Sequence, residues 1–210
     1  GKAAIDWDQK YGNSEWHGTK SQTITRKGIG AALVMQGTAI PYLDMGGAFI
    51  KMNDDATFNL LVGATDLGTG SDTVLAQMAA EILGVTTEDI IVYSSDTDFT
   101  PFDKGAYASS TTYISGTAVV KAAMVAAERI RVHAAEMLGM ESSQEIILRG
   151  KHAIAPGGKS ISLTEIALES LHKNNQEQIM GNASHYSTSS PPPFAAQFAE
   201  ITVDTETGSL

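Results

Sequence analysis

A chain of 210 residues with 24 acidic and 14 basic side chains carries a formal net charge of −10, which argues against nucleic acid or an anionic membrane surface as its main partner. It contains no cysteine, so disulfides, thiolate zinc sites and iron–sulfur ligation are excluded within these residues. The length suits one or two domains and is enough to bury roughly 70% of the surface an unfolded chain exposes.

The amino-terminal stretch 1–26, beginning GKAAIDWDQKYG, reads as a helix and linker ahead of the main body, 27–210. It lacks the basic region and apolar core of a targeting segment, and no apolar run reaches about 18 residues. A cytoplasmic protein is therefore expected, and the ends at Gly1 and Leu210 read as those of an excised fragment. Gly28 to Gln36 and Gly46 to Met52 are predicted strands; Asn53-Asp54-Asp55 turns the second into Thr57 to Val62, a hairpin.

A glycine-rich turn, Gly68-Thr69-Gly70, opens directly into a predicted helix over Ser71–Leu83, ended by Gly84. Val74, Leu75, Met78, Ala79, Ile82 and Leu83 share one face at helical spacing, and Ser71 or Asp72 is placed to cap it. Such a junction aims unpaired amides and the positive end of a helix dipole at whatever lies in front, with Thr69, Ser71 and Thr73 adding hydroxyls. An ordinary capped surface helix has the same local pattern.

Ile90 to Tyr93 reads as a short buried strand, and Asp96-Thr97-Asp98 with Pro101 and Gly105 as a turn-rich loop. A second hydroxyl-rich helix start follows, Ala108-Ser109-Ser110-Thr111-Thr112, leading into an alanine-rich helix from Ser109 to Leu138. Glu145 to Arg149 and His152 to Ala155 flank a Gly150-Lys151 turn, a second hairpin; Ser160 to Leu171 is a shorter helix with Glu165 in its first turn. His172 to Pro193 is polar, then hydroxyl-rich, then triple proline, and reads as a surface crossing; Phe194 to Val203 alternates as a strand. The sum is an α+β fold, a two-layer α/β sandwich built on a mixed sheet with helices mainly on one face.

Other chemistries fit poorly. Asp96 and Asp98 in a proline-bearing loop read as turn formers rather than a carboxylate pair. His17, His133, His152, His172 and His185 show no ligand-like spacing, so no metal site is expected. Gly68-Thr69-Gly70-Ser71-Asp72 is neither a nucleophile elbow nor a Walker loop. Phosphate cradling by amides and short hydroxyls, or ordinary helix capping, remains.

Three stretches, GATDLGTGSDTVLAQMAAEILGV, SSDTDFTPFDKGAYASSTTYISGTAV and PPPFAAQFAEITVDTETG, in that order and preceded by KGIGAALVMQGTAIPYLDMGGAFIKMNDD, resemble the molybdenum-binding large subunit of the xanthine dehydrogenase and aldehyde oxidase family over nearly the whole chain. The resemblance implies two similar subdomains, set here at 27–140 and 141–210, and a molybdopterin cofactor carrying molybdenum, in a dinucleotide form. It implies cofactor contacts at Gly68, Thr69 and Gly70 in the first loop and at Ala108, Ser109 and Thr111 in the second. Thr69 stands where many relatives carry glutamine, so an amide contact is lost while the backbone donors remain.

The family's catalytic glutamate lies downstream of the Asp204 to Gly208 turn, and neither Glu200 nor Glu206 matches its motif. No catalytic residue is therefore expected within the chain, and the 210 residues alone are expected to be inactive. The resemblance also implies partners: the rest of the molybdenum subunit, and Fe–S and FAD subunits or domains. The implied parent enzyme hydroxylates a purine or related heterocycle with water; an aldehyde, nicotinate or CoA-thioester oxidoreductase, or a non-catalytic assembly module, is the alternative.

Overall fold

The computed structural model describes residues 1–20, 22–173 and 176–210. Ser21, within the expected linker, and Asn174 and Asn175, within the expected surface crossing, lie outside the described residues. In chain order the elements are α1 (Trp7–Lys10), β1 (Thr25–Met35), β2 (Met45–Met52), β3 (Phe58–Val62), α2 (Ser71–Leu83), β4 (Ile90–Ser94) and α3 (Thr111–Leu138). There follow β5 (Ile147–Arg149), β6 (His152–Ile154), β7 (Ser160–Ser162), α4 (Leu163–His172), β8 (Met180–Tyr186) and β9 (Phe194–Asp204). No helix among the described residues is long and apolar enough to cross a membrane.

Two compact units emerge, Gly1–Gln36 with Pro192–Leu210, and Gly37–Pro191. The first is a ribbon in which β1 and β9 run antiparallel from Thr25↔Asp204 to Met35↔Phe194. Short side chains and alternating apolar residues suit a pleated pair, and the start of the chain folds onto it: Trp7 stacks on Tyr11 and meets the edge of Phe198. Lys10 pairs with Glu200 at 2.7 Å. Asp204 receives the amides of Glu206 and Thr207, so Glu206 belongs to a capped turn.

The second unit holds a four-stranded sheet in the order β4-β3-β2-β8. β2 pairs antiparallel with β3 and β8, while β3 pairs parallel with β4 because α2 crosses over between them. Period-two burial decides the faces: Ala48, Ile50 and Met52, Phe58, Leu60 and Val62 point to one side. There they meet Leu75, Ala79 and Leu83 of α2 and the alanine stripe Ala118, Ala122 and Ala126 of α3. Helices thus cover one face of a mixed sheet, the two-layer arrangement expected.

A three-stranded antiparallel sheet, β5-β6-β7, lies in the same unit. Gly150 and Lys151 both take positive φ, 57° and 62°, the geometry of a tight hairpin whose twist matches its strands. Ser162 caps α4 reciprocally with Glu165, the Glu165 amide donating to Ser162 Oγ and the Ser162 amide to Glu165 Oε2.

Four expectations are corrected. Ile90–Tyr93 is an edge strand, not a buried one: nothing pairs beyond β4 among the described residues, and Ile91 and Tyr93 are half exposed because they alternate with buried Ile90 onto the sheet face opposite the helices. Residues 160–162, read as helix, form β7, and α4 begins at Leu163. α3 begins at Thr111, since Ala108 and Ser109 are held left-handed. Within the expected surface crossing, Met180–Tyr186 is a strand that closes the sheet against β2.

Candidate functional site

The two helix starts singled out in the sequence face one cavity of about 320 Å³ within the second unit. Thr69 and Ser71 line it from the α2 side; Tyr107, Ser109, Thr111 and Thr112 line it from the α3 side. A further cavity of about 540 Å³ shares Ser109 and Thr112 and continues past Tyr113 and Gly116 toward Thr38 and Met78. Of the six residues assigned from the resemblance, Thr69, Ser109 and Thr111 therefore reach the same space. Gly68 and Gly70 flank Thr69 in its turn, with φ of 89° and 75° that favour glycine. Ala108 precedes Ser109, and its carbonyl accepts the Ala39 amide at 2.8 Å.

The two helix starts differ in chemistry. At α2 neither Ser71 nor Asp72 caps the helix; Gly70 is the N-cap and offers no side chain. The capping falls to Asp66, whose carboxylate accepts the amides of Gly68 at 2.9 Å, Gly70 at 3.1 Å and Asp72 at 3.3 Å. Burial pushes the Asp66 carboxyl up, yet the Asp72, Gly68 and Gly70 amides together outweigh it and hold it below the usual carboxylate range. A group depressed in this way adds stability that is present above its unfolded pKa and lost as pH falls through the native one. At the glycine turn the amides of Gly68 and Gly70 thus already serve a carboxylate, which places a negative charge beside the expected anion cradle.

At α3 no carboxylate lines the cavity among the described residues. Ser110 is the N-cap and makes no side-chain cap, so the first amides of a 28-residue helix, which helix geometry leaves without intrahelical acceptors, face the cavity beside the hydroxyls of Ser109, Thr111 and Thr112. No lysine or arginine lines this cavity, so an anion there would be held by amides, hydroxyls and a helix dipole.

The loop that presents this set is strained and firmly tied. Ala108 and Ser109 take φ of 49° and 55°, and Ala39, which bonds Ala108, takes 60°; such conformations cost energy in non-glycine residues and persist only where surroundings fix them. Tyr107 Oη donates to Asp44 Oδ1 at 2.6 Å, and the Ile40 amide donates to Asp44 Oδ2 at 2.7 Å. Asp44 is 1% exposed, and its acceptance of the Tyr107 hydroxyl proton, with burial, raises the phenol's pKa. Ser115 and the Gly105 amide bind the two oxygens of Asp103. Asp44, Asp66, Asp103 and Tyr107 escaped sequence reasoning because each acts through a partner that composition and periodicity do not mark.

Asp96 Oδ1 accepts the amides of Asp98 and Phe99, and Oδ2 the Tyr93 hydroxyl, making it a turn former.

All 210 residues match the family model described as a molybdopterin cofactor-binding domain. The chain is 36% identical over its whole length to the Escherichia coli K12 protein named "Probable hypoxanthine oxidase XdhD" and covers 21% of that protein. It is 33% identical over 97% of its length to the xanthine dehydrogenase molybdenum-binding subunit of Escherichia coli O157:H7, covering 27% of it. Among solved structures, reconstituted CO dehydrogenase from Oligotropha carboxidovorans superposes over 99% of the chain and 28% of its own, with a TM-score of 0.81 and 22% identity; this likeness concerns the fold. The chain thus spans about a quarter of the length of the relatives it matches.

Proposed function

Because the chain belongs to the molybdopterin cofactor-binding domain family, we propose that it holds the phosphate end of a molybdopterin cofactor, in a dinucleotide form, at the open start of α3. The parent enzyme is a molybdenum hydroxylase that adds a water-derived oxygen to a purine or related heterocycle. It works in the cytoplasm with Fe–S and FAD subunits or domains. The observation that carries the reading is the contrast between the two helix starts, one whose amides are taken by the Asp66 carboxylate and one that meets the cavity amid the hydroxyls of Ser109, Thr111 and Thr112 with no carboxylate in the lining.

The donor set fits a phosphate: amides and short hydroxyls converge, no side-chain carboxylate lines the cavity, and the α3 dipole favours negative charge. Ser109 and Thr111 would donate to phosphate oxygens. Thr69, on the opposite wall, would confine the ligand with a shorter side chain than the glutamine many relatives carry there. Asp44 would fix the loop through Tyr107, so that the hydroxyls need no reorganisation when the ligand arrives. When bound, the molybdenum centre supplies the oxygen transfer and takes up the two electrons the substrate loses. The chain's own part is to orient the cofactor.

The test is chemical analysis of the protein that carries this chain, produced in cells supplied with molybdate. The expected result is molybdopterin and molybdenum near one per protein and incorporation of labelled oxygen from water into an oxidised purine; absence of pterin from a folded protein would refute the reading. The 210 residues produced alone are expected to fold yet oxidise no purine or aldehyde.

A further inference from the structure

Ser71 stands out on grounds separate from the residues already assigned. It is the first residue of α2, lines the cavity opposite Ser109 and Thr111, and is 5% exposed. Its Oγ has no hydrogen-bond partner among the described residues. A buried hydroxyl without a partner is costly, and native proteins rarely leave one. The local reason is visible: a serine at a helix start ordinarily turns toward nearby amides, but here Gly68, Gly70 and Asp72 already donate to Asp66. Asp66 has displaced the serine from the capping role and left its donor unused at the wall of a cavity.

We propose that Ser71 is a ligand-binding residue whose hydroxyl donates to an acceptor oxygen of the same phosphate-bearing group held by Ser109 and Thr111. The contact then spans the cavity, with amides and hydroxyls from α3 and a single neutral hydroxyl from α2. The Asp66 carboxylate already takes the amides of Gly68, Gly70 and Asp72, and the Ser71 hydroxyl is the donor on this wall that has no partner among the described residues. The proposal rests on the reading that this cavity takes the cofactor's phosphate end.

The experiment uses the protein that carries this chain, purified with its cofactor, and compares wild type, Ser71→Ala and the pair Ser109→Ala with Thr111→Ala. Two quantities are read: pterin retained after a fixed dialysis, from the fluorescence of the oxidised extract, and the melting temperature of cofactor-free protein. Ser71→Ala is expected to weaken retention about tenfold, the lower bound for a hydrogen bond to a charged group, while the cofactor-free protein melts at or above the wild-type temperature, because an unused buried donor is gone. Retention equal to wild type in Ser71→Ala, with loss in the Ser109 and Thr111 pair, overturns the role of Ser71 and leaves the site standing. Full retention in both overturns the site itself. A lowered melting temperature in cofactor-free Ser71→Ala assigns the hydroxyl to an internal water or structural bond and also overturns the proposal.

Discussion

Removing the hydroxyls of Ser109 and Thr111 together is expected to empty the site without unfolding the protein. Each lost hydrogen bond to a charged phosphate is worth roughly 1.5–3 kcal/mol, so the double change weakens cofactor binding by about a hundredfold or more. Stability of the cofactor-free form should fall little, because the loop that carries Ser109 is held through Tyr107, Asp44 and Asp103. Ser109→Gly sharpens the comparison. Ser109 sits at φ 55°, so glycine relieves strain while also removing the hydroxyl. It should melt higher than Ser109→Ala yet bind no better. Cofactor content and melting temperature, measured on the same preparations, decide the matter; full occupancy in the double variant would show the hydroxyls to be structural.

The largest stability effect is expected at Gly181. A Cβ there would overlap the Ala122 carbonyl oxygen and lie 2.8 Å from the Ala126 amide nitrogen, so β8 and α3 meet backbone to backbone. The alanines of α3 exist for the same reason: a thin helix face lets the sheet come close. Gly181→Ala forces two backbones apart in a packed interior, and overpacking of this kind costs about 1–3 kcal/mol and occasionally more. We expect about 3 kcal/mol. The control is Gly30→Ala on the ribbon, where a Cβ meets nothing within 4 Å and the change should stay within about 0.5 kcal/mol. Denaturant melts of the two variants read the difference directly, and equal midpoints would show that β8 does not pack on α3 as described.

These two cases mark where the sequence was legible and where it was not. The bounds of α2 are readable because apolar periodicity, a glycine turn before it and Gly84 after it agree. The hairpins and the capping box of α4 are likewise local signals, complete within a few residues. β8 is not readable, because its packing demands the absence of a side chain at Gly181 and its outward positions are polar, so the strand carries no hydrophobic alternation. Nor is the cap of α2: Asp66 lies five residues before Ser71, outside the usual capping position, and works because the glycine turn doubles back. The fastening of the Ser109 loop depends on Asp44 and Tyr107, 63 residues apart. The sequence therefore marks both helix starts as candidate anion sites, and only the three-dimensional arrangement distinguishes the closed one from the open one.

Amide hydrogen exchange, resolved by residue and compared between cofactor-loaded and cofactor-free protein, tests that distinction most directly. The amides of Gly68 and Gly70 already donate to Asp66 and should exchange at the same rate in both forms, whereas those of Thr111 and Thr112 at the uncapped start of α3 should slow on loading. Protection gained at Gly68 and Gly70 with Thr111 and Thr112 unchanged would contradict the account and return the anion site to the glycine turn.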